Sequence, residues 1–309
     1  MPGDTLIVTT TGDTLRVPDS FFNGPPPASR DFYGLSGEAV FWLGVSAVLL
    51  VVVCRPLVWR LFKRHQHRKL QEEVSAGLDS HAAQYDRVLS GYNGYYRSLS
   101  QPLRNRFLQR VAEFMEIKQF DYIEIVPDEK MPLLISAAAI QLTFGLEKYL
   151  LEYFDTIHIL KNDYRYGVFN VPFAGHVNST GIYLSWNNFL RGYANDNDAD
   201  NVGVHEMAHA LAYVNFMAGA NDDIDDEFKK GFKEFSKIGR VVFNDMQNGV
   251  SNMLGSYAAT NYNEFWAVAV ENFFERPKQM KEALPELYRA MCDLLNQDTL
   301  LPDKGIFPG

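Results

Sequence analysis

One helix decides most of what this chain can become. Residues 202–215 read VGVHEMAHALAYVN. A helix that is apolar on nearly every side belongs in the interior of a folded domain. Yet this one carries His205, Glu206 and His209, the pattern H-E-x-x-H. Burying a carboxylate and two imidazoles without partners is expensive. The spacing suggests the partner. Residues four apart stand one above the other on a helix face, so His205 and His209 aim at one metal ion. Two imidazoles suit Zn²⁺, which favours nitrogen donors and four-coordinate geometry. Glu206 is one step round the helix. From there it reaches a water on that ion and suits a general base.

The rest of the composition narrows the class. The chain has 309 residues, enough for one large domain or two small ones. Its net charge of −9 excludes a broad basic surface for nucleic acid. Two cysteines, Cys54 and Cys292, are too few for a disulfide framework or a cysteine zinc cluster, and they fit a reducing compartment.

Along the chain, residues 1–38 read as a short extracytoplasmic segment. LIVTTTGDTLRV forms a hairpin turning at Gly12-Asp13, and Gly24-Pro25-Pro26-Pro27 excludes helix. Residues 39–54 carry no charge. A bilayer span needs about 20 residues; if Arg55 snorkels, the run extends to Trp59. We therefore expect one transmembrane helix with its basic flank over 39–62. Arg55, Arg60, Lys63, Arg64, Arg68 and Lys69 follow the run, against Arg16 and Arg30 before it. The positive-inside bias then makes this a single-pass protein of the inner, cytoplasmic membrane, with its large C-terminal part in the cytoplasm. A helical connector over 63–92, a zinc metallopeptidase domain over 93–300 and a tail over 301–309 complete the expected organisation.

Within that domain the spacing predicts a helix over 99–118, with Ser100 as cap and Pro102 in its first turn. A strand over 120–126 and a long apolar helix over 131–151 follow. Strand-like runs fall at 156–160, 166–171 and 181–186, and the last (GIYLSW) is a place for an extended peptide to add. Ser185 then caps the helix WNNFLRGY. The carboxylates of 221–227 lack the EF-hand spacing for Ca²⁺ and instead favour the start of a helix over 225–245. That helix carries Phe228, Phe232, Phe235 and Ile238 on one face. A further apolar helix, EFWAVAVENFF, starts at Glu264. The sum is an α+β fold, mostly helical with a small mixed sheet.

Two histidines do not complete a catalytic zinc site, which takes a third protein ligand and leaves a fourth position open. No histidine follows closely, so the longer H-E-x-x-H-x-x-G-x-x-H form is excluded. Glu264 and Glu271, seven apart on nearly the same helix face, are rivals for the place. His158 and His176, in the strand region, are weaker candidates.

The block 257–277, YAATNYNEFWAVAVENFFERP, closely resembles the Mlc titration factor A family of zinc-dependent peptidases. So do LLISAAAIQLTFGL at 133–146 and the GIYLSWNNFLRG segment ahead of HEMAH. The resemblance runs from about residue 95 to residue 298. More distantly, the tyrosine-to-glutamate separation of seven is similar to that of the anthrax lethal factor catalytic domain. The resemblance implies a gluzincin-like domain of zincin type acting on peptides or proteins. It further implies that His205, His209 and Glu264 bind zinc, that Glu206 is the catalytic base, and that Tyr257 hydrogen-bonds the developing oxyanion. Glu271 has no settled role in the family pattern; support of a ligand is one physical role open to it. Soluble members sequester a repressor of glucose uptake. The resemblance thus also implies an alternative, a membrane-tethered binding module that holds a cytoplasmic regulator with little catalysis. The chain departs from the family in carrying Ala210-Leu211-Ala212 where Lys-Leu-Asp is common, and in its first 62 residues.

Overall fold

The computed structural model describes residues 4–8, 14–18, 37–165, 172–217 and 225–305, in two units, Met1–His67 and Arg68–Gly309. In the first, β1 (Asp4–Val8) and β2 (Thr14–Pro18) pair antiparallel, with Val8 opposite Thr14. This is the expected hairpin; its turn at 9–13 lies outside the described residues. Helix α1 (Gly37–Tyr92) begins in this unit and contains the uncharged run.

The transmembrane helix expected over 39–62 is not carried by what is described. Among the described residues, no helix is long and apolar enough to cross a membrane. Arg55 interrupts the apolar side chains, and those of 47, 49, 51–53, 56–57 and 59–60 lie outside the described residues. Phe41, Trp42, Leu43, Val48, Leu50 and Val58 are each more than half exposed.

In the second unit the later part of α1 packs Leu78, Tyr85, Val88 and Leu89 on the core. Then come α2 (Gly94–Ser98) and α3 (Gln101–Ile117). Pro102 occupies the first turn of α3 as expected. The Ser100 hydroxyl, however, caps nothing. α3 buries Phe107, Val111 and Phe114, rows three and four apart that form one face. Strand β3 (Gln119–Ile123) follows.

The long helix expected over 131–151 is shorter: α4 spans Lys130–Thr143. Tertiary contact ends it. Gly145 lies against the backbone of Leu295 and Asn296, where a Cβ would come within 2.2 Å of the Leu295 carbonyl oxygen. Arg110 collects the carbonyls released at the helix end, at 2.8 Å from Phe144 O and 3.1 Å from Leu146 O. These acceptors would otherwise be buried without a donor.

Strands β4 (Thr156–Leu160), β5 (Gly175–Asn178) and β6 (Gly181–Ser185) complete a sheet of order β3-β4-β6-β5. β3, β4 and β6 are parallel, and β5 is antiparallel to β6. The sheet is mixed, as expected. The run expected at 166–171 lies outside the described residues, and β5 was not foreseen. The expectation that GIYLSW offers an edge to a peptide fails, because β6 has β4 on one side and β5 on the other.

Register sorts the two faces of the sheet. Ile157, Ile159, Ile182 and Leu184 are fully buried on one. Asp121, His158, Tyr183 and His176 form a single row on the other. There Tyr183 stacks between His158 and His176, at 4.2 and 4.3 Å.

The remaining helices are α5 (Trp186–Ala194), α6 (Val202–Phe216), α7 (Asp226–Gln247), α8 (Tyr262–Glu275), α9 (Pro277–Ala283), α10 (Pro285–Leu295) and α11 (Pro302–Gly305). Ser185 precedes α5 but makes no side-chain cap; its hydroxyl accepts from Asn188 instead. Asp225 caps α7 by accepting from the N–H groups of Glu227 and Phe228. Residues 221–224 of the acidic run lie outside the described residues. α6 sits at the centre, packed by α4, α8, β5 and β6. Trp266 of α8 is enclosed by Phe228, Phe232 and Phe235 and donates its indole N–H to Ala208 O of α6 at 2.9 Å. Each fully buried ring of this kind contributes about 2–3 kcal/mol, and here the packing holds α6 and α8 in register.

Candidate metal centre

Two asparagine caps place the functional side chains. Asn201 starts α6, its Oδ1 accepting from Val204 N at 3.0 Å. Asn261 starts α8, accepting from Asn263 N and Glu264 N at 3.0 and 3.1 Å. Glu264 therefore lies in the first turn of α8, where a helix terminus favours a carboxylate. Packing α8 on α6 brings Glu264 over the H-E-x-x-H face.

His205 Nε2 lies 3.1 Å from His209 Nε2 and 3.1 Å from Glu264 Oε2, and His209 Nε2 lies 3.6 Å from Glu264 Oε1. Zinc–nitrogen distances of about 2.0–2.1 Å put tetrahedral ligand atoms about 3.3 Å apart. The three side chains thus surround a point of the right size for that ion, and together they form a group able to hold a metal.

The structure separates the rivals for the third place. Glu271 stands outside this group, because it faces the other side of the His205 ring: its Oε1 lies 2.5 Å from Nδ1. His158 and His176 stand on the sheet face opposite the buried isoleucines, their Nδ1 atoms bound to Asp121 and Tyr164.

Glu206 is buried, at 5 % exposure, and its Oε2 has no hydrogen-bond partner among the described residues. Its other oxygen lies against Gly175 of β5, where an added Cβ would meet Glu206 Oε1 at 2.6 Å. The absent side chain is what admits the carboxylate. Burial pushes the Glu206 carboxyl up to about 7, against the pull of His205 and His209. For His205, burial opposes the charged form, but its hydrogen bonds to the Glu264 and Glu271 carboxylates win and raise it to about 10. Burial likewise works against ionised Glu264, whose carboxyl the two histidines still hold well below the usual range. A cation held here would take the place of a proton, since metal ligands must be deprotonated.

Tyr257 comes from a short 3₁₀ turn, Ser256–Ala259. Its ring lies 6.2 Å from that of His205 and is 58 % exposed, so it is not a core aromatic. Burial and the adjacent Glu264 push its hydroxyl up to about 12. It remains a donor at neutral pH.

All five residues singled out from the sequence therefore meet in one place. Four that matter to their placement were missed: Gly175, Asn201, Asn261 and Glu275. Asn201 had a signal, an asparagine immediately before an apolar helical run. Gly175 had none, because its neighbour Glu206 is brought to it only by the fold.

A comparison with known proteins places these residues in a family. An uncharacterised protein of Synechocystis sp. is 23 % identical over 217 residues, covering 64 % of this chain and 78 % of that protein. The model of the family described as glucose-regulated metallo-peptidase M90 matches residues 63–295, a stretch that includes both capped helices and every side chain of the centre. The chain belongs to this glucose-regulated metallo-peptidase family, that of the Mlc titration factor.

Proposed function

We propose that this protein is a zinc-dependent peptidase. The observation that carries the reading is the convergence of His205 Nε2, His209 Nε2 and the Glu264 carboxylate beside a buried, unpartnered oxygen of Glu206. In this reading His205, His209 and Glu264 hold the ion. A bound zinc supplies Lewis acidity to the scissile carbonyl and to a water. Glu206 takes the proton from that water and delivers it to the leaving amine, and burial matches its basicity to neutral pH. The Tyr257 hydroxyl donates to the carbonyl oxygen as negative charge develops there. An extended peptide takes the outer edge of β5 (Gly175–Asn178), beyond the bridge that Tyr164 makes to Phe173 just ahead of it.

Tyr257→Phe tests the role of that hydroxyl at the oxyanion. Removing one such donor costs about 10²–10³-fold in kcat. We expect that loss with KM and zinc content unchanged, and an unchanged kcat would remove Tyr257 from the chemistry. The reading as a whole is tested with the full chain, purified in detergent, by mass spectrometry of a peptide mixture alongside zinc analysis. Bound zinc without cleavage would transfer the site to a binding module that holds a cytoplasmic regulator. A folded chain without zinc would sink the assignment.

We also propose that the chain is anchored in the cytoplasmic membrane, with this unit in the cytoplasm. The uncharged run 39–54, the basic residues after it and the exposed apolar side chains of α1 support this. The chain should then stay with membranes through a carbonate wash; its release into the supernatant would argue against a span.

A further inference from the structure

Behind the centre, α8 reaches the head of α6 through two more carboxylates. Glu271, besides holding His205 Nδ1, accepts the backbone N–H of Asn201 on Oε2 at 3.0 Å. Glu275, one turn further along α8, accepts the Asn201 side-chain amide at 2.8 Å and the Ala199 N–H at 2.8 Å. Asn201 is thereby committed at three groups: its N–H to Glu271, its Nδ2 to Glu275 and its Oδ1 to the cap of α6. Asn201, Glu271 and Glu275 are all nearly fully buried.

Ala199 sits at φ 56°, the left-handed region. Such a residue is held there only when its surroundings over-determine it, and the bond to Glu275 is one such restraint. Among the described residues, neither Glu271 nor Glu275 forms an ion pair with a lysine or arginine. Glu271 has only the His205 ring as a cationic partner and Glu275 has none, and a buried carboxylate so placed is a poor way to stabilise a fold. What both do touch is the three-residue stretch that leads into the H-E-x-x-H helix.

We propose that Glu271, Asn201 and Glu275 form a clamp of positioning residues that fixes the head of α6 on α8 and commits His205 to presenting Nε2, in one tautomer, to the metal ion. A ring nitrogen is available to a metal only if its proton sits on the other nitrogen, and a carboxylate accepting from that other nitrogen fixes both tautomer and ring orientation. Glu271 is that acceptor. Asn201 and Glu275 fix where Glu271 meets the ring: they hold the α6 terminus, and hence the helix rotation, at a set depth on α8. The inference rests on the reading of His205 as a ligand and does not depend on the chain being a peptidase.

The test uses the full chain and reads the metal directly. Zinc affinity is measured by competition with a chelator, Co²⁺ is bound as a spectroscopic reporter, and the thermal midpoint of the metal-free chain is recorded. Glu271→Gln should weaken zinc binding about 10–100-fold and alter the visible Co²⁺ bands, a loss larger than any fall in the metal-free midpoint from breaking its pair with His205. Glu275→Gln should weaken zinc more mildly, and the double variant should fall short of the product of the two losses. If Glu271→Gln does not fold, Glu275→Gln decides alone. Unchanged zinc affinity, or a loss matched by an equal loss of metal-free stability, would overturn the clamp. A wild-type chain that binds zinc and cleaves nothing removes the peptidase and leaves the clamp standing; one that binds no zinc removes both.

Discussion

Glu206→Gln should lower peptide cleavage by about 10²–10⁴-fold, the range for removing a positioned general base, while the chain keeps its zinc. The side chain is isosteric, so its packing against Gly175 is preserved and the two helices need not move. The metal-facing nitrogens of His205 and His209 belong to other positions of α6 and are untouched. What is lost is the capacity of the buried oxygen to accept a proton. An amide cannot hold one at any accessible pH. Burial already raises the Glu206 carboxyl to about 7, which means that ionised Glu206 is disfavoured in the folded chain. The sign of the stability change follows. A carboxylate whose folded pKa lies above its unfolded value opposes folding once pH exceeds the unfolded value, and the opposition is complete above the folded one. The glutamine variant should therefore unfold no more readily than wild type at neutral pH, and more reluctantly at pH 8. Kinetics and zinc content on the same preparation separate the possibilities. A zinc-loaded variant that cleaves at the wild-type rate would take the base role away from Glu206.

Much of this centre could be read before any coordinates. The four-residue spacing of His205 and His209 needs only helical geometry, and the apolar context of their helix needs only a buried environment. Residues 264–274 announced a second buried helix with a glutamate at its head. What spacing could not deliver is the rotation of that helix about its own axis. Seven residues are nearly two turns, so Glu264 and Glu271 share a face to within a few tens of degrees. Which of them reaches the front of His205 depends on how Trp266 seats against α6. The fold shows the same division. Helix α4 ends eight residues early because Gly145 meets the backbone of Leu295 and Asn296, a contact between positions about 150 residues apart in sequence. β6 was legible as a strand, but its central position was not, because β5 is short and its glycine-led GHVN carries no alternation of its own.

Glu264→Ala should produce the largest change in metal binding. Structural zinc sites gain about 10–16 kcal/mol from four ligands, so one ligand is worth roughly 3 kcal/mol, or about 10²-fold in affinity. Removal here does more than subtract a ligand. Glu264 lies within 3.1 Å of His205 Nε2 and within 3.6 Å of His209 Nε2, so without it two imidazoles face each other at 3.1 Å with no anion between them. Thermal melts with and without added zinc measure the consequence. A ligand that binds only the folded state stabilises it by about 4 kcal/mol at a thousand times its dissociation constant, so zinc should raise the wild-type midpoint clearly. In the variant the same addition should raise it little, and cleavage should fall in proportion to the zinc lost. Glu271→Gln, by contrast, keeps all three atoms that face the ion and should retain a reduced zinc response. If the Glu264 variant keeps the full response and the Glu271 variant loses it, the two carboxylates have exchanged places, and α8 is rotated on α6 from the arrangement described above.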